Sequence, residues 1–64
     1  MEKKEFVKEF ERVKKKNNGV AFVYGEGGFL AADKYDFLNK GFIAFYLKGK
    51  DVGVVRFTTV NEVD

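Results

Sequence analysis

Along the first sixteen positions the apolar residues fall at Phe6, Phe10 and Val13, spaced four and three apart with Val7 alongside, and no Gly or Pro interrupts them. That spacing keeps one stripe on one side of a 3.6-residue turn, so residues 2–16 are predicted to form an amphipathic helix. The charges agree. Glu2, Glu5, Glu9 and Glu11 come early and Arg12, Lys14, Lys15 and Lys16 late, the order the helix dipole favours, and Asn17-Asn18-Gly19 supplies a stop.

After Gly19 the pattern changes to β-branched and aromatic residues punctuated by Gly and Asn, and residues 20–63 are predicted to form an antiparallel meander of four or five strands. Residues 20–24 read as a first strand, Gly25-Glu26-Gly27-Gly28 as a turn, and Phe29 to Ala32 as the return. Residues 31–40 admit two readings. Ala31-Ala32-Asp33 could open a short helix ending at Gly41, but Tyr35 and Phe37 alternate with Lys34 and Asp36, which favours strand. Asn39-Lys40-Gly41 is a tight turn into residues 42–47, Lys48 to Asp51 return the chain into residues 52–58, and Val60 and Val63 add a short final pairing.

Pairing Leu47 with Val52 sets Phe45 beside Val54 and Ile43 beside Arg56 on one face of this last hairpin. The other face then carries Tyr46 beside Gly53, Ala44 beside Val55 and Phe42 beside Phe57, so both faces are largely apolar. One narrow helix stripe cannot cover both. Either the sheet curls into a small barrel with the helix across one opening, or another molecule covers the second face. The core is expected to hold Phe6, Phe10, Phe22, Phe45 and Val54, and the opposite face, with Phe42, Tyr46 and Phe57, is the expected protein-interaction surface. The two faces could also be exchanged. The fold class is α+β: a single domain over residues 1–64, with an N-terminal helix packed on a small, strongly curved antiparallel meander.

Composition sharpens this picture. Sixty-four residues allow one core, and 45% hydrophobic with 34% charged residues describes a globular chain. With no Cys and no His, disulfides and zinc cannot staple so small a fold, which leaves packing and association. Association with a second copy as a homodimer, or with another protein, is therefore expected. The longest apolar run, Phe42 to Leu47, is too short to span a membrane and the chain opens on charged residues, so no membrane partner and a cytoplasmic location are expected.

Catalytic chemistry has little to draw on. His, Cys and Ser, the usual base and nucleophiles, are absent, and Thr58 and Thr59 suit pairing or capping at a strand end. Asp33 and Asp36 would point to opposite faces of a strand, and Gly25-Glu26-Gly27-Gly28 lacks the following helix that a phosphate-binding loop requires. No enzyme activity, cofactor or metal is expected.

Two binding classes remain. Seventeen per cent Phe plus Tyr suits an interaction module, accessory subunit or regulator with an aromatic-rich β surface. Alternatively, residues 1–18 carry +3 and residues 19–64 carry −1, and Arg12, Lys14, Lys15 and Lys16 could neutralise nucleic-acid phosphates, with exposed tyrosines stacking on bases.

Overall fold

Helix α1 occupies Lys3–Lys16 in the computed structural model, which describes residues 1–64 throughout. Its end is the stop expected of Asn17-Asn18-Gly19. Asn18 takes the left-handed conformation at φ 58°, and the Gly19 N–H reaches back to the Lys14 carbonyl at 2.7 Å. Phe6, Phe10 and Val13 are buried, and Val7 lies on the exposed flank of the stripe.

Six strands follow: β1 (Ala21–Gly25), β2 (Gly28–Ala32), β3 (Lys34–Phe37), β4 (Phe42–Leu47), β5 (Lys50–Arg56) and β6 (Val60–Val63). All pairings are antiparallel, in two three-stranded sheets ordered β2-β1-β6 and β3-β4-β5. The α+β class holds. In place of one meander of four or five strands, however, the chain builds two small sheets, and β6 returns to the first of them beside β1.

Two local devices explain this. Asp33, the one residue between β2 and β3, donates its N–H to the Tyr46 carbonyl and accepts the Lys48 N–H on Oδ2 at 3.1 Å, which fixes the corner where the chain changes sheets. Residues 31–37 are thus strand on either side of a corner, and a 3-10 turn at Asn39–Gly41 follows. Beyond Arg56 a second 3-10 turn, Phe57–Thr59, ends β5 and turns the chain back, with the Thr59 hydroxyl donating to the Arg56 carbonyl at 2.7 Å.

The core lies between the sheets. From the first sheet it takes Ala21, Val23, Ala32, Val60 and Val63, and from the second Ile43 and Phe45. Phe6 of α1 bridges the two at the centre of an aromatic group, with ring centroids 5.2 Å from Tyr35, 5.5 Å from Phe57, 5.7 Å from Phe10, 6.0 Å from Phe37 and 6.1 Å from Phe45. Edge-to-face geometry dominates, the arrangement that aromatic quadrupoles favour. Glycine permits two close approaches, of β1 to the turn before β6 and of one sheet to the other. A Cβ on Gly25 would sit 2.9 Å from the Thr59 carbonyl oxygen, and one on Gly53 would sit 3.3 Å from Leu30 Cδ2.

The β4–β5 register departs from expectation. The turn has only two residues, Lys48 and Gly49, at φ 52° and 80°, so Leu47 pairs with Lys50 and Tyr46 with Asp51. The ladder then shifts by one residue at Val52, after which Phe45 opposes Gly53, Ala44 opposes Val54 and Ile43 opposes Val55. Val54, expected in the core, therefore faces outward and is 49% exposed. Phe22, also expected inside, is 36% exposed, because Ala21 and Val23 are the inward residues of β1. No helix is long and apolar enough to cross a membrane.

Candidate interaction surfaces

Along β4, Ile43 and Phe45 belong to the core cluster, while Phe42 and Tyr46 are half-buried on the opposite face together with Ala44, which is itself covered by its neighbours. Phe42 and Tyr46, two of the three residues expected on an interaction surface, thus share the outer face of the second sheet with Val54 and Arg56. The Arg56 guanidinium lies over the Phe42 ring at 5.0 Å, which shields part of that ring from water. Phe57, the third, does not join them. It sits in the 3-10 turn after β5 and is buried, with its ring 5.5 Å from both Phe6 and Phe37.

A second aromatic surface, which includes the exposed Tyr24, occupies the outer face of the first sheet. Phe22 and Tyr24 of β1 stand opposite Ala31 and Phe29 of β2, and the Phe29 ring lies 5.5 Å from that of Tyr24 and 6.2 Å from that of Phe22. Phe29 is 64% exposed, the most open large apolar side chain in the molecule. Its neighbours are acidic. Glu62 lies directly across from Tyr24, Asp64 exchanges both backbone hydrogen bonds with Phe22, and Glu26 occupies the β1–β2 turn. No Lys or Arg lies on β1, β2, β6 or the β1–β2 turn.

Beneath this surface, at the β1–β2 turn, the space between the sheets opens as a cavity of about 240 Å³. Val23, Leu30, Phe45, Val55 and Val60 form its apolar wall, Glu26 and Thr59 are its polar side chains, and no helix residue lines it. The glycine-rich segment Gly25-Glu26-Gly27-Gly28 is the tip of a β-hairpin on its rim, with Gly25 paired to Gly28 and an acid at the apex.

Of the four basic residues expected to act together at the end of α1, Arg12, Lys15 and Lys16 share one side of the helix and Lys14 does not. Arg12 is engaged by Glu9, with Nη2 and Nε donating to Oε1 at 2.7 and 3.2 Å. That hydrogen bond lowers the Glu9 carboxyl below its ordinary value and raises the Arg12 guanidinium, and the charge of Asp64 raises the guanidinium further. At 100° per residue Lys14 lies about 160° around the helix from both Arg12 and Lys16, whereas Lys15 and Lys16, at i+3 and i+4 from Arg12, stand on its side of the helix.

The groups considered for catalysis are otherwise engaged. Thr59 caps a turn, Asp33 fixes the corner between the sheets with its Oδ1 buried and without a partner, and Asp36 is exposed on β3. No three carboxylates come together as a metal site would require.

Comparison with known proteins adds no assignment: no family model, no curated protein and no solved structure matches this chain.

Proposed function

We propose that this chain is a non-catalytic protein-binding module that works without cofactor or metal, docking its partner on the outer aromatic face of the first sheet. The supporting observation is the Phe22, Tyr24 and Phe29 cluster, three packed rings held at a water-exposed sheet face. Isolated exposed apolar side chains are ordinary, whereas a contiguous aromatic patch rimmed by polar groups is how interaction sites look. The partner is another protein or a second copy of the chain, and a cytoplasmic setting suits both.

Nucleic acid is the less favoured reading. Acids line the aromatic face, which opposes stacking on a polyanion, and in the helix cluster Arg12 is already paired with Glu9 while Lys14 lies on another side of the helix.

A photo-reactive phenylalanine analogue at Phe29, with the same group at Lys4 on the outer side of α1 as control, tests the reading in the producing cells. Protein-containing crosslinks are expected at Phe29 and not at Lys4, and a product of twice the chain's mass identifies a second copy. Crosslinks to nucleic acid, equal capture at both positions, or none at Phe29 would overturn it.

A further inference from the structure

Three properties of the cavity at the β1–β2 turn restrict what could enter it. The first is size. An engineered apolar cavity of about 150 Å³ admits benzene, and drug-sized ligands need about 300 Å³ or more. At about 240 Å³ the cavity matches one branched aliphatic or aromatic side chain and is small for a nucleotide or an organic cofactor.

The second is charge. Glu26 is the only charged residue lining the cavity; Glu62, opposite Tyr24, stands on the outer face of the sheet and outside the lining. Neither has a cationic partner, since the Arg12–Glu9 pair is the molecule's single salt bridge. An occupant with Lys or Arg beside its apolar group would meet Glu26 and the electron-rich rings of Tyr24 and Phe29, which also line the cavity.

The third is Gly27. Its φ is negative, and a Cβ added there would meet nothing within 4 Å, so neither backbone conformation nor packing within this chain demands glycine. Gly25, by contrast, is required by the Thr59 carbonyl, and Gly28 by its φ of 130°. A bare position on the cavity rim leaves room for the backbone of an incoming segment.

We infer that this cavity is a side-chain pocket for a short basic segment of a partner protein, which inserts one aliphatic or aromatic side chain while a flanking Lys or Arg faces Glu26. The inference rests on the interaction-module reading and names the partner's chemistry.

Short capped peptides with Lys-Leu-Lys, Lys-Ser-Lys or Glu-Leu-Glu at the centre test it, titrated into the full chain and followed by NMR on the methyls of Val23, Leu30, Val55 and Val60. The Lys-Leu-Lys peptide is expected to shift these methyls and to bind at least about tenfold more tightly than the Lys-Ser-Lys peptide, the discrimination that burying one Leu side chain provides. The Glu-Leu-Glu peptide should bind more weakly than the Lys-Leu-Lys peptide, with the gap narrowing as salt is raised. Gly27→Val should reduce affinity about tenfold or more while leaving the melting temperature within about 2 °C, because the added methyls meet only the ligand. Glu26→Gln, which keeps size and removes charge, should erase much of the preference for Lys over Glu.

Equal binding of the three peptides, absence of methyl shifts, or full affinity in a folded Gly27→Val variant would overturn the inference. So would methyl shifts that follow protein concentration without peptide, which would give the pocket to a second copy. Protein crosslinks at Phe29 in any of these cases would leave the interaction-module reading standing, and their absence would remove that reading independently.

Discussion

Phe6 gives the most direct test of how this fold is held. Its side chain is fully buried, touches five aromatic rings, and joins α1 to residues of β3 and β4 and to the turn after β5. Truncating a buried Phe to Ala costs about 3–5 kcal/mol, through lost transfer energy and the cavity left behind. At about 0.05–0.15 kcal/mol per residue, a chain of 64 residues has about 3–10 kcal/mol in all, so Phe6→Ala should remove from a third of the stability to all of it. Phe6→Leu retains most of the volume but loses the ring edges, and should cost about 1–2 kcal/mol. Phe29→Ala serves as the control of identical chemistry at a 64% exposed site, where only the cross-strand ring contacts are lost, and should cost no more than about 1 kcal/mol. Urea denaturation followed by circular dichroism at 25 °C, with the slope checked for constancy, measures all three. Equal losses for Phe6→Ala and Phe29→Ala would refute the claim that the helix is anchored through this aromatic centre.

Tyr35 predicts an alkaline limit to stability. Burial raises its phenol above the ordinary value, with the charge of Glu11 adding to the effect. A raised folded value means stability that is complete below the unfolded value of about 10 and lost as pH climbs through the folded one. Tyr35→Phe should therefore flatten the fall in melting temperature above pH 10, and an unchanged alkaline slope would count against the burial argument. Lys48 holds a left-handed φ of 52° in the two-residue β4–β5 turn, where Asn is better suited. Lys48→Asn should raise stability by about 0.5–1 kcal/mol without disturbing the backbone bond to Asp33, measured by the same denaturation.

The helix was legible because three signals agreed: the spacing of Phe6, Phe10 and Val13, the ordering of charge, and the Asn-Gly stop. The strands were legible as strands, but which side of each faces inward was not. In β1 both alternating sets are apolar, Ala21 with Val23 and Phe22 with Tyr24, and period-two patterning cannot rank them. The smaller pair went inside, where Ala21 pairs with Ala32 and Val23 with Val63, and the aromatic pair was left in water. In β5 one extra residue at Val52 displaced everything beyond it, so Val54 moved from the expected core to the surface. Phe57 was misplaced for a related reason: nothing in Arg56-Phe57-Thr58-Thr59 announces that the strand stops at Arg56 and a turn begins. Of the expected interaction residues, Phe42 and Tyr46 could be placed together because they lie four residues apart on β4, and the extra residue of this hairpin falls on β5 instead. The cavity and the acids along the aromatic face depend on the long-range pairing of β1 with β6 and on how the two sheets stack, which the local pattern does not encode.

The extra residue at Val52 also bears on how the protein survives at high concentration. β5 pairs with β4 alone, so its other side is a seven-residue row of backbone donors and acceptors open to a neighbouring chain, on a strand carrying Val52, Val54 and Val55. Flat, apolar rows of this kind are templates for fibrous stacking. Here the row is interrupted: Val52 breaks the repeat, and the Asp51 carboxylate accepts the Gly53 N–H at 3.0 Å, occupying a donor at the interruption. Lys50 and Arg56 then place like charges at the two ends of the strand, where stacked copies would repel one another. The irregularity that disguised the inner face of this hairpin thus also keeps a valine-rich edge from becoming the seed of an aggregate.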